Sequence, residues 1–431
     1  MQTKVQRGQR LLRSTFARNV ATTFLTQVVS LVVGLANAAI VARWLGPQGK
    51  GSLALALLIP STLALFLSGG IPAANVYFIG SRRLSVAQVT QNAMLLALLG
   101  VSSGLVLTAL GLATGLLQRL APSIPAALIV LATVGLPAAI VNSFFSGILQ
   151  GMQRIRTVNV ITLLQSILTL SLTVLLVIGL GLGLNGAVLA AVGAALGVMT
   201  LLGWQVQRAG GDLRPHYDRA ILRQMLAFGL RGYVGNLLQF FNYRLDLFIV
   251  GILLGPAAVG IYTAAVALAE LLWHLPNAVS FVIFPKASAT RPEDMNRVTP
   301  RIFALTLGIT LVGGVFIALL GRQVIQIIYS DLFLAAYQPL LALLPGVILL
   351  GGGKVLTNEI AGRGYVHYNS VNAGLALVLT VIFDLLLIPR WGVLGASWAS
   401  TIAYTAIFLT AVLFYRSVSR GGDRTNREQE P

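Results

Sequence analysis

Seven ionisable side chains stand inside stretches that are otherwise apolar: Arg231, Arg244 and Lys354, and Asp246, Glu270, Glu359 and Asp384. A charge in such a stretch is costly unless it faces water, an ion or a partner, so each is a candidate site residue. Arg231 and Lys354 could hold an anionic group. Glu270, with His274 four residues on, and Asp246 could take up and release a proton or a cation. Arg231 lies about nine residues into its apolar run, or ~13 Å along a helix, too deep for its side chain to reach water easily. It is a candidate ligand contact, or one half of an ion pair with Glu270. Arg244, nearer the outer end of its run, can reach the surface.

Uncharged polar residues fall at helical spacing around these groups. Residues three and four apart share a helix face. Asn19, Thr23, Thr26, Ser30 and Asn37 make one stripe; Asn159, Thr162, Ser166, Thr169 and Thr173 make a second. Arg231, Gly235, Gln239, Asn242 and Asp246 share a third face, and Thr263, Glu270, His274 and Asn277 a fourth. Such faces line a wet cavity or hydrogen-bond to one another across helices.

The elements that position these residues follow from composition. Apolar residues make up 56% of the 431 and charged residues 10%, against about 25% charged in a soluble protein. Mean hydropathy is +0.85. A helix crossing a ~30 Å hydrocarbon core needs ~20 apolar residues, and twelve such runs follow one another: 18–42, 52–79, 88–117, 124–148, 158–180, 185–206, 222–251, 256–284, 300–320, 338–360, 368–388 and 393–415. The sequence therefore predicts an all-α polytopic membrane protein. The first run is long and lacks a clear cleavage site, so it reads as a retained helix. Pro60, Pro72, Pro137, Pro276 and Pro345 fall inside runs, which a helical bundle tolerates where neighbouring helices satisfy the freed carbonyls.

Charge sets the orientation. Of 30 Lys and Arg, only Arg43, Lys50, Arg119, Arg322 and Arg390 fall in one alternating set of loops, and nearly all the rest fall in the other set and the termini. By the positive-inside rule both termini are cytoplasmic. The same placement accounts for the net charge of +18 as topology and contact with membrane lipids, and argues against nucleic acid as a partner.

The chain also repeats itself. Leu45-Gly-Pro-Gln-Gly-Lys-Gly51 matches Leu254-Gly-Pro-Ala-Ala-Val-Gly260, and Gly183-Leu-Asn-Gly-Ala187 matches Gly392-Val-Leu-Gly-Ala396, both at an offset of 209 residues. Asn159 and Asn369 end matching inner loops at an offset of 210. Six runs is an even number, so the halves enter the membrane in the same sense, as parallel repeats around an axis along the membrane normal. The halves are an N-terminal lobe (1–207) and a C-terminal lobe (222–415), with a cytoplasmic linker (208–221) and a cytoplasmic tail (416–431). Transport proteins built this way place their site between the repeats.

The stretch from Asn242-Tyr-Arg-Leu-Asp246 through Leu254-Gly-Pro256 to Ala265, running on to Phe284-Pro285, resembles bacterial polysaccharide-biosynthesis flippases, as does Ala42-Arg-Trp-Leu-Gly-Pro47. These belong to the multidrug/oligosaccharidyl-lipid/polysaccharide exporter superfamily. The resemblance implies two six-helix lobes around a central cavity, and a polyprenyl-diphosphate-linked oligosaccharide moved by alternating access from the inner to the outer leaflet of the bacterial cytoplasmic membrane. It implies Arg and Lys in the cavity: here Arg231 and Lys354, with Arg18 at the mouth, joined by the polar Gln239, Asn242 and Asn37. Glu270, His274 and Asp246 are the candidates for ion coupling. A polysaccharide polymerase and glycosyltransferases are expected partners beside the lipid-linked substrate. The alternative within the superfamily is a cation-coupled exporter of drugs or other small molecules; its members often carry an Asp in the first helix, and 18–42 has neither Asp nor Glu.

Enzyme chemistry finds no foothold. With no cysteine and three histidines, thiol chemistry and thiolate metal sites are excluded. The chain has no H-E-x-x-H, P-loop or G-x-S-x-G pattern, and its longest outer loop, near 321–337, holds only Asp331 as an acid. No catalytic residue, metal or cofactor is predicted.

Overall fold

The computed structural model describes the backbone of residues 2–365 and 367–427, and the side chains of 23, 25–231, 233–288, 290–365 and 367–419. Among these the chain is helical with no strand. The helices are α1 (Gln2–Ser68), α2 (Ile71–Gly80), α3 (Val86–Ala113), α4 (Leu116–Leu120), α5 (Ala126–Thr133), α6 (Leu136–Gly151), α7 (Ile155–Thr173) and α8 (Gly183–Arg208). They continue as α9 (Arg219–Leu254), α10 (Pro256–Glu270), α11 (His274–Ala289), α12 (Pro292–Ile328), α13 (Tyr337–Gly362), α14 (His367–Trp391) and α15 (Val393–Arg427).

Among the described residues eleven helical stretches are long and apolar enough to cross a membrane. The first, Leu25–Ser68, runs for 44 residues, or ~66 Å, about twice the hydrocarbon thickness. It is two helices joined across Gly46, whose φ of 65° and ψ of −173° lie outside the helical region, and so supplies two crossings.

The repeat in the sequence is a repeat in the backbone. Gly255, 209 residues after Gly46, adopts φ 83° and ψ 178° and starts α10 with Pro256 at its first turn. Gly183 and Gly392 form a second such pair, with φ of 56° and 59°. An L side chain is strained at all four positions, and glycine is not.

Three expected spans are interrupted next to a proline. The run 52–79 breaks at Gly69 and Gly70, both at positive φ, before α2, which starts with Pro72 in its first turn. The run 124–148 is divided into α5 and α6 by a turn at Val134 and Gly135. The run 256–284 passes through a 3-10 turn, Leu271–Trp273, between α10 and α11. Pro72, Pro137 and Pro276 each follow one of these breaks closely. A proline has no N–H to give to the preceding turn and disfavours helical backbone in the residue before it.

The chain divides into two compact units. The first comprises Met1–Leu45, Ala56–Gln118 and Ile124–Tyr233. Its core is Phe78, Phe144, Ile148, Leu202 and Met225 with their neighbours. Helices approach closely at small residues: a Cβ on Gly147 would stand 2.6 Å from the Pro72 carbonyl oxygen. Buried amides tie helix to helix, Asn75 donating to the Phe144 carbonyl (3.1 Å) and Asn142 to the Ala195 carbonyl (3.0 Å). The segment joining α8 to α9 is strapped to the start of α3. Gln91 donates to Asp212 (2.8 Å), whose other oxygen accepts from the Arg214 N–H (3.0 Å), and the Asp218 N–H donates to Asn92 (3.2 Å). The Arg214 N–H, and then Gln91, hold the half-buried Asp212 carboxyl below the usual carboxylate range.

The second unit comprises Gly46–Leu55, Arg119–Ser123 and Val234–Pro431. Its centre is α13, buried along Leu340, Val347, Leu350, Gly351 to Gly353 and Val355. Here the two copies of the repeated motif meet. A Cβ on Gly51 would lie 1.7 Å from the Pro256 carbonyl oxygen, and one on Gly260 would lie 2.0 Å from that of Pro47. Each proline backbone thus occupies the space that the other motif's glycine leaves, an approach that small residues four apart allow in membranes.

A side chain at this crossing has nowhere to go. Gly260→Leu is expected to lower stability by more than the ~1–3 kcal/mol usual for overpacking, because its neighbour is backbone. Gly308→Leu, with nothing within 4 Å of its Cβ position, is expected to behave as wild type. Thermal unfolding of the purified proteins, followed by size-exclusion chromatography, compares them, and equal stability would refute a tight crossing.

Candidate functional site

Within the second unit the polar residues of α9 face those of α10, α13, α14 and α15. On α9, Gln239, Asn242, Tyr243 and Asp246 fall at spacings of three and four and so on one side of the helix. On α10, Tyr262 and Glu270 are eight apart and share a face by the same rule. Between them lies a cavity of about 210 Å³ lined by Tyr243, Arg244, Asp246, Tyr262, Thr263 and Glu270.

Lys354 is the most elaborately held cation here. Its Nζ donates to Asn277 Oδ1 at 3.1 Å and stands 3.9 Å from the centroid of the Trp273 ring and 5.9 Å from that of Tyr243. Cation–π attraction of this kind is worth about 2 kcal/mol when desolvated. Trp273 is fixed in turn by its indole N–H, which donates to the Val347 carbonyl at 3.1 Å. Tyr243, Trp273 and Tyr404 form a mutual ring cluster with centroids 5.4, 5.7 and 6.1 Å apart. The helix break at Leu271–Trp273 turns Trp273 inward beside Asn277 of α11. An ammonium has three N–H donors. Asn277 takes one, so Lys354 keeps donors for an anionic or hydroxyl-rich group.

Glu270 is paired with Arg244, Nη1 to Oε1 3.9 Å, and both side chains are about a third exposed. A pair this long and this open is weakly held. Arg244, read from the sequence as reaching for the surface, is thus the arginine that Glu270 meets within its own unit. Both groups line the cavity and remain open to a ligand.

Deeper in the lobe lies a closed polar cluster. Asp246 is 3% exposed. One oxygen accepts from the Leu247 N–H (2.8 Å), the other from the Tyr262 hydroxyl (2.5 Å), which also lies 3.0 Å from Ser400 Oγ. Asn242 accepts from Thr380 at 3.1 Å. Four residues on from Thr380, Asp384 is fully buried, and neither of its oxygens has a hydrogen-bond partner among the described residues. It is an electrostatic neighbour of Asp246. Asp246 and Asp384 are thus two buried carboxyl groups near each other, with no basic side chain hydrogen-bonded to either among the described residues.

The other predicted residues are dispersed. Arg231 is exposed on the part of α9 that belongs to the first unit and makes no ion pair among the described residues. Gln239 is exposed and 3.5 Å from the Tyr243 hydroxyl. His274 is exposed, its Nδ1 3.0 Å from the Leu271 carbonyl, on the far side of the 3-10 turn from Glu270. Asn37 lies on α1 with its side-chain oxygen buried and without a partner among the described residues. The Arg18 side chain lies outside the described residues. The first two polar stripes meet each other, Asn159 donating to Thr23 at 2.7 Å. The aromatic members of the site, Tyr243, Trp273 and Tyr404, were not singled out from the sequence, since aromatic residues in apolar runs look like packing. Asp384 stands among the seven ionisable residues of the apolar runs, but nothing in the sequence sets it beside Asp246.

This architecture is that of known transport proteins. A lipid II flippase MurJ in its inward closed conformation superposes with a TM-score of 0.76 at 14% identity, over 91% of this chain and 87% of that one. An inward-facing multidrug resistance MATE family transporter of the MOP superfamily gives 0.72 at 19% identity, over 92% and 96%. Identities this low establish a shared fold alone. The sequence goes further: the chain belongs to the polysaccharide biosynthesis protein family, whose model matches residues 16–291. A relative from Haloferax volcanii, the probable low-salt glycan biosynthesis flippase Agl15, is 23% identical over 221 residues, 48% of this chain and 45% of that protein. The probable flippase AglR of the same organism is 27% identical over 194 residues, 42% and 39% respectively. The matched region thus spans less than half the length of these curated relatives.

The Asp246 cluster makes a stability prediction. Tyr262→Phe leaves a buried carboxylate short of a donor, which costs about 1–3 kcal/mol, whereas Ser400→Ala removes only the second contact of the hydroxyl. The melting temperature of the purified protein should fall clearly in the first variant and little in the second. Equal shifts would mean that Tyr262 does not hold Asp246.

Proposed function

We propose that the protein is a flippase that carries a polyprenyl-diphosphate-linked oligosaccharide from the inner to the outer leaflet by alternating access, for cell-surface polysaccharide synthesis. The observation that carries this reading is Lys354, held by Asn277 and the faces of Trp273 and Tyr243 with donors to spare. Cation, amide and aromatic faces together suit a ligand that is anionic at one end and a sugar at the other. Membership of the polysaccharide biosynthesis family supports the same substrate class.

The physical need is clear. Moving each unpaired hydroxyl of a glycan into hydrocarbon costs roughly 4–8 kcal/mol, so a head with many hydroxyls does not cross unaided. Polar helix faces remove most of that barrier while the lipid tail stays in the bilayer. Outward movement of the anionic diphosphate is favoured by an inside-negative potential at ~2.3 kcal/mol per charge per 100 mV. In this reading Lys354, Arg231 and Gln239 serve the substrate, with Arg18 and Asn37 on the first helix, while Asn242, expected beside them, is closed on Thr380. Both termini face the cytoplasm, and a polymerase and glycosyltransferases work on the same pathway.

Coupling to an ion gradient belongs to the buried acids. Asp246 and Asp384 form the site that exchanges a proton or cation, with Glu270 closer to the substrate. His274 lies beside it, across the turn. The same acids favour the second reading, a cation-coupled exporter of small molecules on the same fold.

Complementation of a strain lacking its own flippase tests the proposal. Wild type should restore surface glycan and clear lipid-linked oligosaccharide from the inner leaflet. Lys354→Glu should reduce surface glycan roughly tenfold or more, the loss expected for one charge-assisted contact, at unchanged membrane level. Arg231→Glu should act in the same direction. Export that survives Lys354→Glu would sink the site, and dye efflux without glycan rescue would favour the exporter.

A further inference from the structure

On the first unit, a second cavity shares no residue with the candidate functional site. It is a groove of about 430 Å³ between α3, α6 and α8. Met94, Leu98 and Val101 of α3, Pro137 of α6, and Met199 and Trp204 of α8 form its walls. Along α3 the lining runs from Met94 to Val101, or about 10 Å. The break between α5 and α6 places Pro137 in the wall. Only Thr200 and Gln207 bring polar side chains to the lining, and the Thr200 hydroxyl is already bonded to the Gly197 carbonyl. Leu98 and Trp204 are about half exposed, so the groove opens sideways. These walls suit a hydrocarbon chain and have nothing to offer a sugar.

One end of the groove is different. It closes against Leu213 of the strap that joins α8 to α9. Arg208, next to the lining residue Gln207, stacks its guanidinium 3.9 Å from the Trp204 ring centroid. Arg214 follows Leu213 directly and is exposed. Asp212 of the strap accepts from Gln91 and from the Arg214 backbone N–H, and its carboxylate also attracts the Arg214 side chain. The apolar slot therefore has one guanidinium, that of Arg208, set over an aromatic ring next to its lining, and a second arginine, Arg214, beside Leu213 in the sequence.

We infer that this groove binds one acyl chain of an anionic phospholipid, with the phosphate-bearing headgroup at Arg208 and Arg214. The lipid sits on the arginine-rich side of the lobe and ties the strap to the bilayer. Ordinary annular lipid would fill the same slot with no preference for headgroup charge, so charge selectivity is the mark of the site. The inference is independent of flipping, and its readout is binding.

The full-length protein is placed in phosphatidylcholine nanodiscs with a trace of phosphatidylglycerol or phosphatidylcholine bearing a photoactivatable acyl chain, and the crosslinked peptides are mapped. The phosphatidylglycerol probe should label 94–101 and 199–213 roughly fivefold more than the phosphatidylcholine probe for each arginine engaged. Arg208→Glu should reduce that preference, and Thr200→Trp should remove labelling of both peptides by either probe. Labelling of the exposed face of α12 around Ile309 and Val312 should stay the same in all variants, which reports an intact fold. Equal labelling by the two probes in the wild type would overturn the inference, as would labelling that persists in Thr200→Trp. Loss of the phosphatidylglycerol signal on adding equimolar polyprenyl phosphate would overturn it too, by making a prenyl carrier the occupant.

Discussion

In hydrocarbon there is no water to satisfy a backbone N–H or carbonyl that a helix releases. Everything else in this protein depends on that constraint. It makes the stretches that cross the membrane helical, and at several of their interruptions other protein atoms close in. At Gly46 and Gly255 the chain reverses, and the motifs that follow bring proline backbone against glycine with no side chain between them. At Gly70 the broken helix lies against Gly229, close enough that a Cβ would stand 2.3 Å from the Gly229 carbonyl oxygen. At Leu271–Trp273 the change from α-helix to 3-10 turn aims the Trp273 indole at a carbonyl of α13. The breaks position the site because each must be sheltered.

The same absence of water divides the polar residues of the second unit into two sets. Asp246, Tyr262, Ser400, Asn242 and Thr380 are closed on each other, and removing a member leaves a buried group unpaired. Lys354, Arg244 and Glu270 keep bonding capacity free: Lys354 is held by one amide and by ring faces but by no acid among the described residues, and Arg244 and Glu270 by a long ion pair. A strongly paired Lys354 would be a structural residue. A weakly committed one can exchange partners as a ligand arrives and leaves. Asp384 belongs to neither set, being buried and without a hydrogen-bond partner among the described residues, which is why it joins Asp246 in the coupling proposal.

The lipid-facing side obeys a different logic. Exposed Leu, Val and Ile along α3, α12 and α14 are ordinary for a surface solvated by acyl chains. The groove on α3, α6 and α8 stands out because it is concave and because the end that closes against Leu213 lies next to Arg208 of α8 and to Arg214 of a strap fixed by Gln91, Asn92 and Asp212. Positive charge in that segment sets topology, and it can also select a headgroup where a slot for the tail lies beside it.

Sequence by itself determined the class, the number of crossings and the repeat. Those rest on local quantities: apolar run length, the side on which Lys and Arg fall, and glycines whose positive φ the pattern Leu-Gly-Pro anticipates at 46 and 255. It also found Lys354, Glu270, Asp246 and Asn242, because an ionisable or amide group in an apolar run stands out without any structure. Tertiary structure alone decided which of them meet. Glu270 pairs with Arg244, Asn277 receives Lys354, and the stripe on the first helix spends Thr23 on Asn159. Nor could the sequence mark Tyr243, Trp273 and Tyr404 as more than packing, since an aromatic ring in an apolar helix reads the same whether it faces lipid or a lysine. Helical periodicity tells which residues share a face, while the partner of that face is set by how helices far apart in the chain cross.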